Sequence, residues 1–548
     1  MKRGDIVTGF VGETTFPNHG SITVEDRRIR IKGVLPGQEV EARIKRSSQE
    51  KAEGILTRVI TPSPLETATP ACPQFGICGS CTLQSLPYKE QLALKESHIR
   101  KLLSPVVRND DCTWLPIAGS PSSYEYRNKM EFTFGDEYRD GPLTLGQHKK
   151  GSMYDLVSAE CCCLIDEDVR RIVRETLRYV TEAGLPFYRK MRQEGYLRHL
   201  LVRKAKITGE ILVDIVTTTQ QEHDWNDWAA RIAALPFAGT LRGVLHTLND
   251  ASADTVKNEG TSVLYGQDCI NEELLGLRFR ISAFSFFQTN SEGAEVLYSA
   301  VRDRVLEAGG GADGVIFDLY SGTGTIGQLL APVARKVVGI EIVEEAVVAA
   351  RANAELNGLS NCEFIAGDVL KKLDEVTERP DFIVLDPPRE GVNPKALSKI
   401  LAYGVEHMVY ISCKPTSLAN DLAAIQDAGY RVVSVQPVDM FPQTPHVETV
   451  CLLSQRKPDT TIEVDLDISE LEVSSAETKA TYEEIKSYVL KKYGLKVSNL
   501  YIAQVKRECG IVERINYNLP KTEGNRVPQC PEDKRKAIKD AFIHFQMI

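Results

Sequence analysis

Residues 291–455 alternate strand-like and helix-like patterns, and this alternation constrains the fold of the 548-residue chain more than any other feature. Strand candidates fall at Val315–Leu319, Lys336–Ile340, Cys362–Ala366, Phe382–Leu385, His407–Ile411 and Val447–Leu453, with helical patterns between most of them. Such alternation requires a mostly parallel sheet covered by helices on both faces. Open sheets of this kind bind ligands beyond the carboxyl ends of their strands. The residues that follow each strand are therefore the ones to read for chemistry.

The first strand runs through Asp318-Leu319-Tyr320-Ser321 into Gly322-Thr323-Gly324-Thr325-Ile326-Gly327. A glycine-rich turn between strand and helix lets a ligand approach the backbone closely. The spacing of Gly322, Gly324 and Gly327 formally meets the dinucleotide fingerprint, so a nicotinamide or flavin site is a rival reading at this point. The second strand ends at Glu341, where an acid can accept hydrogen bonds from ribose hydroxyls of either kind of cofactor. The third runs into Gly367-Asp368, where an acid can face an adenine edge. The fourth ends in Asp386-Pro387-Pro388-Arg389, a stiff turn that presents an acid at the strand's carboxyl end. Hydride transfer has no obvious use for that turn, whereas a group-transfer enzyme can use Asp386 to hold substrate or cofactor, which favours methyl transfer over a redox dinucleotide.

The fifth strand ends in Ser412-Cys413-Lys414-Pro415 and the last begins near His446-Val447-Glu448. Free cysteine is often inert core. The Lys and Pro that follow argue against deep burial of Cys413, and Lys414 is expected to help lower its thiol pKa. A thiol and a carboxylate beside a methyl donor point to a particular reaction. Carbon 5 of uracil is a poor nucleophile until a thiolate adds to carbon 6. A base must then take the carbon 5 proton so that elimination can release the thiolate. Cys413 suits the first role and Glu448 the second. Cytosine chemistry could use the same thiol, so the thiol alone does not choose the base.

Cys72-x5-Cys78-x2-Cys81 places three soft ligands within ten positions, and Cys161-Cys162-Cys163 could supply a fourth. Thiolates at this spacing suit zinc or a four-iron cluster. Spacing alone leaves the metal open, and no redox partner motif accompanies the cysteines, so a structural role is expected.

Around these motifs the chain divides into a five-strand β unit (1–60), a linker with the cysteine set (61–115), a mixed α+β region (116–290), the alternating region (291–455), an acidic linker (456–480) and a small unit with two probable helices (481–548). Small barrels like the first often carry oligonucleotides. The net charge of −9 counts against a nucleic-acid partner. Its distribution matters more: residues 1–60 hold 11 Lys/Arg against 8 Asp/Glu, and residues 481–548 hold 13 against 8. No apolar run is long enough to span a membrane. Met1-Lys2-Arg3-Gly4-Asp5 leads into a polar strand pattern with no apolar signal segment, so a cytoplasmic, non-membrane protein is expected. Thirteen cysteines without such a segment are not read as a disulfide framework.

Taken together, these motifs, with Thr82-Leu83-Gln84 after the cysteines and Phe286-Phe287-Gln288-Thr289-Asn290, resemble the RNA uracil-5 methyltransferases, in particular the iron–sulfur members that modify 23S ribosomal RNA. The resemblance covers about residues 1–455. It implies a Rossmann-like S-adenosylmethionine-dependent methyltransferase domain, an N-terminal TRAM barrel that contacts RNA, and an inserted α+β central domain. It implies a [4Fe-4S] cluster on Cys72, Cys78, Cys81 and one later cysteine, taken as Cys162 because the family's ligand often stands two residues before a Leu or Ile. S-Adenosylmethionine contacts fall on Gln288, Tyr320, Thr325, Glu341, Asp368 and Asp386, the nucleophile on Cys413 and the base on Glu448. The implied partner is 23S ribosomal RNA, with transfer RNA as the rival substrate and a monomer as the expected state. A non-catalytic RNA-binding protein retaining the fold is the reading from another class. Ser321 stands where family members often have Cys, and residues 481–548 lie beyond the family core.

Overall fold

A computed structural model describes residues 1–47, 52–253, 256–310, 314–455, 482–509, 530–545 and 547. The expected acidic linker 456–480 lies outside these. The chain divides into two units, Met1–Asp459 and Thr460–Ile548.

The larger unit is built around an eight-stranded sheet. In spatial order its strands are Cys362–Ala366, Lys336–Glu341, Val315–Leu319, Phe382–Leu385, His407–Ser412, Glu448–Gln455, Tyr430–Val438 and Thr113–Trp114. The first five are mutually parallel, and Glu448–Gln455 runs antiparallel to both its neighbours. The central strands read as continuous apolar runs because helices cover both faces. Every residue of Val315–Leu319 and Phe382–Leu385 is buried. One layer of core packs the Ser291–Glu307 helix through Leu297 and Val301, and the other packs Leu397, Leu418 and Leu422 from helices on the opposite face.

Two strands of this sheet were not among the sequence expectations. Tyr430–Val438 mixes Arg431, Ser434 and Gln436 into its run and carries a register shift between Val432 and Ser434. Thr113–Trp114 comes from far upstream and pairs in parallel with Ser434 and Val435.

The N-terminal sheet is a small β-domain of five strands, ordered Ile6–Phe10, Glu39–Ser47, Ala52–Thr61, Arg27–Lys32, His19–Val24. Its strands alternate, as one-sided burial demands: Ile29 and Ile31 are buried while Arg28 and Arg30 face out. The central region forms a seven-stranded sheet running from Thr261–Gly266 at one edge to Leu156–Ser158 at the other. The helices Glu167–Glu182 and Asn226–Ala233 pack on it through Ile172, Val173 and Trp228. A separate hairpin, Cys269–Leu274 with Leu277–Ser282, leads to the segment Phe286–Asn290. Asn290 caps the next helix, its side chain accepting from the Gly293 N–H at 2.9 Å.

The smaller unit contains helices Tyr482–Tyr493, Asn499–Glu508 and Glu532–His544 around Ile485, Val489, Ile502, Val505, Ile538 and Phe542. The middle helix was not expected from sequence. Among the described residues no helix is long and apolar enough to cross a membrane.

Candidate active site

The glycine-rich turn is held by its own backbone. Tyr320, Gly322 and Gly324 all have positive φ, at 68°, 54° and 71°. At Gly324 an added Cβ would lie 2.6 Å from the Phe364 ring and 2.9 Å from the Ala350 Cβ, so only glycine fits. Glu341 ties the turn to the next strand. Its carboxylate accepts from the Gly322 N–H at 3.0 Å and from the Val343 N–H at 2.9 Å. The Thr323 hydroxyl donates to the Phe286 carbonyl at 3.1 Å and lies 3.4 Å from the Thr325 hydroxyl. The Phe286–Asn290 segment therefore closes over the turn, which brings Gln288 to the same edge as Tyr320, Thr325 and Glu341. Asp368 stands after the third strand and caps a short helix, accepting from the Leu370 N–H at 2.8 Å. Asp318 lies beneath the turn. One of its oxygens accepts from the Gly327 N–H at 2.8 Å and the other has no partner. Burial pushes its carboxyl up to about 7.

Asp386, Cys413 and Glu448 converge beside this turn. Burial pushes Asp386 up to about 7, with Asp318 adding to the shift. Burial pushes Glu448 up to about 8, Asp386 pushes the same way and Arg389 opposes. The Cys413 thiol is raised to about 11 by burial, then by Glu448 and Asp386. Arg389 works against that rise by charge and by hydrogen bonding to the thiol. Tyr298 faces the same acids and hydrogen bonds to the Gln288 side chain, and burial holds its hydroxyl protonated far above the usual range. Cys413 is partly exposed and Glu448 is 3% exposed.

The cation facing the thiol is thus Arg389, at the end of the Asp386-Pro-Pro turn. The Lys414 side chain is exposed, and its backbone N–H donates to the Ser412 hydroxyl at 3.2 Å. The Arg389 turn is fastened by its carbonyl, which accepts from the Ser417 hydroxyl at 2.7 Å. Tyr298 gave no sequence signal, because it sits within an ordinary amphipathic helix. Phe441 lies between His446, edge to face at 6.4 Å, and the Arg127 guanidinium, 6.0 Å from its centroid.

The early cysteines and the triplet meet in space. The Cys163 thiol hydrogen bonds to the Cys72 sulfur, which pulls Cys72 down to about 6 and Cys163 up. The Gln84 amide donates to the Cys163 sulfur at 3.3 Å and accepts from the Cys72 N–H at 3.0 Å. Burial pushes Cys81 up to about 12, and Cys162, Cys78 and Cys72 add to that rise. The donor set is all thiol, which fits a soft metal or an iron–sulfur group in chemistry. As the side chains stand, no group of three or more His, Cys, Asp or Glu among the described residues is placed to hold a metal ion. Cys163 hydrogen bonds to Cys72, and Cys162 lies close enough to Cys72, Cys78 and Cys81 for their charges to interact. Cys162 also packs against the core of the central sheet.

A doubly covered, mainly parallel sheet with a glycine turn, strand-end acids and one antiparallel strand defines an S-adenosylmethionine-dependent methyltransferase. The family model for tRNA (uracil-5-)-methyltransferase matches residues 87–456, and the chain belongs to that family. An uncharacterized RNA methyltransferase of Caldanaerobacter subterraneus is 50% identical over 83% of this chain and 100% of its own length. One from Clostridium tetani is 47% identical over 84% of this chain and 99% of its own. The crystal structure of Pyrococcus abyssi tRNA (uracil-54, C5)-methyltransferase with S-adenosyl-L-homocysteine is similar at TM-score 0.63 and 25% identity, over 82% of this chain and all of that one. The chain is an S-adenosylmethionine-dependent RNA uracil-5 methyltransferase.

If Arg389 holds the thiol pKa down, Arg389→Met raises it further. The expected result is an iodoacetamide alkylation profile of Cys413 displaced to higher pH, with about threefold to tenfold less thiolate at any pH below the midpoint. A superimposable profile would assign the arginine no influence on the sulfur.

Proposed function

We propose that the chain methylates carbon 5 of a uridine in 23S ribosomal RNA through a covalent bond between Cys413 and carbon 6. The observation that carries this reading is the meeting of one partly exposed thiol and one buried carboxyl, Glu448, beside the glycine turn. The Cys413 thiolate adds to carbon 6, and its electron pair makes carbon 5 nucleophilic. When bound, S-adenosylmethionine supplies an electrophilic methyl on a positively charged sulfonium. Gln288, Tyr320, Thr325, Glu341, Asp368 and Asp386 are the residues to bind it. Glu448 then takes the proton from carbon 5, and the electrons of that C–H bond expel the thiolate. With its carboxyl raised to about 8, Glu448 is a stronger base than an ordinary carboxylate once ionised, and at neutral pH it must first give up its own proton. The target base must leave its stack to reach the pocket.

The cysteine set favours ribosomal RNA. Cys72, Cys78, Cys81 and one of the triplet are proposed to hold a structural [4Fe-4S] cluster. Cys162 is proposed as the fourth ligand: its thiol is influenced by Cys72 and Cys78 and itself acts on Cys81, while Cys163 hydrogen bonds to Cys72. Transfer RNA is the second reading, favoured by the Pyrococcus abyssi enzyme, which acts on tRNA. A non-catalytic RNA-binding protein would have no use for Cys413 and Glu448 in one pocket. The N-terminal sheet is proposed to act as a TRAM-type RNA contact, in a cytoplasmic monomer. The small C-terminal unit, with its surplus of lysine and arginine, is proposed to add phosphate contacts.

Cys413→Ala is expected to abolish turnover with S-adenosylmethionine binding near normal, and Glu448→Gln to leave RNA covalently attached on a denaturing gel. No attached RNA would remove Glu448 from the role of base. Mass mapping of methylated uridines in ribosomal and transfer RNA from a strain lacking the gene decides the substrate. Protein purified without oxygen should contain iron and acid-labile sulfide, reduced in Cys162→Ser more than in Cys163→Ser; zinc without sulfide contradicts the cluster. Removal of residues 481–548 should weaken RNA binding and flatten its salt dependence, by about 0.7–0.9 in log–log slope for each phosphate no longer neutralised. Equal slopes reject that role for the C-terminal unit.

A further inference from the structure

The connection 439–447 joins the strand Tyr430–Val438 to the strand that begins at Glu448, and Val438 pairs directly with Glu448. It is held from outside along its length. The Asp439 N–H donates to the Ala118 carbonyl at 2.8 Å. The Met440 carbonyl accepts from Asn290 Nδ2 at 3.0 Å, Phe441 from Lys95 Nζ at 3.1 Å, and Pro442 from the Tyr126 hydroxyl at 3.0 Å. The Gln443 carbonyl accepts from the N–H groups of Thr82 and Leu83 at 2.9 and 3.1 Å. Gln91 and Gln443 bond reciprocally. The Gln91 amide donates to the Gln443 side chain at 2.9 Å and accepts from the Gln443 N–H at 3.0 Å. Gln443 itself stands at φ 68°, a conformation that non-glycine residues hold only where surroundings enforce it.

Lys95 and Asp439 form an ion pair at 2.6 Å with side chains 1% and 0% exposed. A buried ion pair is weak evidence for stability, since well-packed apolar residues often serve as well or better. What it does supply is direction: the ammonium must sit where it reaches both Asp439 and the Phe441 carbonyl. Four of the holding residues, Thr82, Leu83, Gln91 and Lys95, come from one stretch that starts immediately after Cys81, and Ala118, Tyr126 and Asn290 add single bonds from elsewhere. Gln84 in that stretch binds Cys72 and Cys163. The cysteine set and the loop entering Glu448 are thus joined by a few short bonds.

We propose that Gln91 and Lys95 are positioning residues for Glu448: they hold the 439–447 connection in the conformation that delivers this carboxyl to the pocket, and they tether it to the cysteine-bearing segment. This rests on the reading of Glu448 as the base. In that reading a displaced Glu448 leaves addition and methyl transfer to proceed but slows elimination, so enzyme accumulates joined to RNA. A purely structural role has a different signature. Turnover and joined enzyme would then fall together.

The test uses the full chain, total RNA from a strain lacking the gene, and S-adenosylmethionine. Gln91→Met removes the reciprocal amide bonds. Lys95→Met with Asp439→Leu replaces the ion pair by apolar side chains, so that no lone charge is left buried. Lys101→Met, at an exposed site on the same helix, is the control, and Glu448→Gln the reference. Expected for both clamp variants is turnover reduced about tenfold or more, KM for S-adenosylmethionine within about twofold, and a larger steady-state fraction of enzyme attached to RNA than in wild type. Attached enzyme that falls in step with turnover in both variants, or unchanged turnover in both, overturns the clamp while Glu448→Gln still traps RNA. If Glu448→Gln itself traps nothing, the base assignment fails first and the clamp fails with it.

Discussion

Burial of several acids at one edge of a parallel sheet is the constraint on which the rest of the site depends. Asp318, Asp386 and Glu448 all sit at strand ends or starts, and each is pushed up chiefly by loss of water. Their mutual repulsion adds to the shift, and Arg389 is the cation that relieves it for Glu448 and Cys413. The family match, rather than the electrostatics, separates the two readings that the Gly322, Gly324, Gly327 spacing left open.

Geometry does the rest through chain order. A parallel sheet sends every strand's carboxyl end to the same side, so residues from Tyr320 to Cys413 meet without any local signal linking them. The antiparallel strand Glu448–Gln455 enters from that side, so its first residue arrives at the edge where the other strands' last residues stand. Gln288 comes from outside the sheet, in a segment pinned by Thr323 and by Asn128, whose amide donates to the Gln288 carbonyl at 2.8 Å. The central region thus contributes directly to the pocket.

Strands with continuous apolar runs, such as Val315–Leu319, were legible because double-sided burial leaves no other composition available. The strand-end acids and Cys413 were legible for the same reason: topology alone places them together. Tyr430–Val438 was not, since its polar residues break the run and its register shift breaks the alternation. The approach of Arg389 to Cys413 was also not legible. Lys414 is adjacent in the chain, but the strand ends at Ser412 and a helix begins at Pro415, so its side chain turns to solvent. Arg389 reaches the thiol because the two prolines before it extend the neighbouring strand's turn along the edge. Which of three consecutive cysteines faces Cys72 depends on the local backbone path, and no periodicity reports that.

Keeping an acid buried costs stability, and at Asp318 part of that cost is offset by a backbone donor, the Gly327 N–H, as at Glu448 it is offset by Arg389; the more exposed Glu341 and Asp368 also accept from backbone, from Gly322 and Leu370. Backbone donors of this kind are fixed by the fold and do not reorganise when a charge changes. The second oxygen of Asp318 is left without a partner, as is the hydroxyl of Ser321 in the adjoining turn. Unsatisfied groups of this kind are destabilising by about 1–3 kcal/mol each. Ser321 lies in the glycine turn and Asp318 in the strand beneath it, so stability is given up beside the turn proposed to take the cofactor, where unmet polarity is expected in an enzyme.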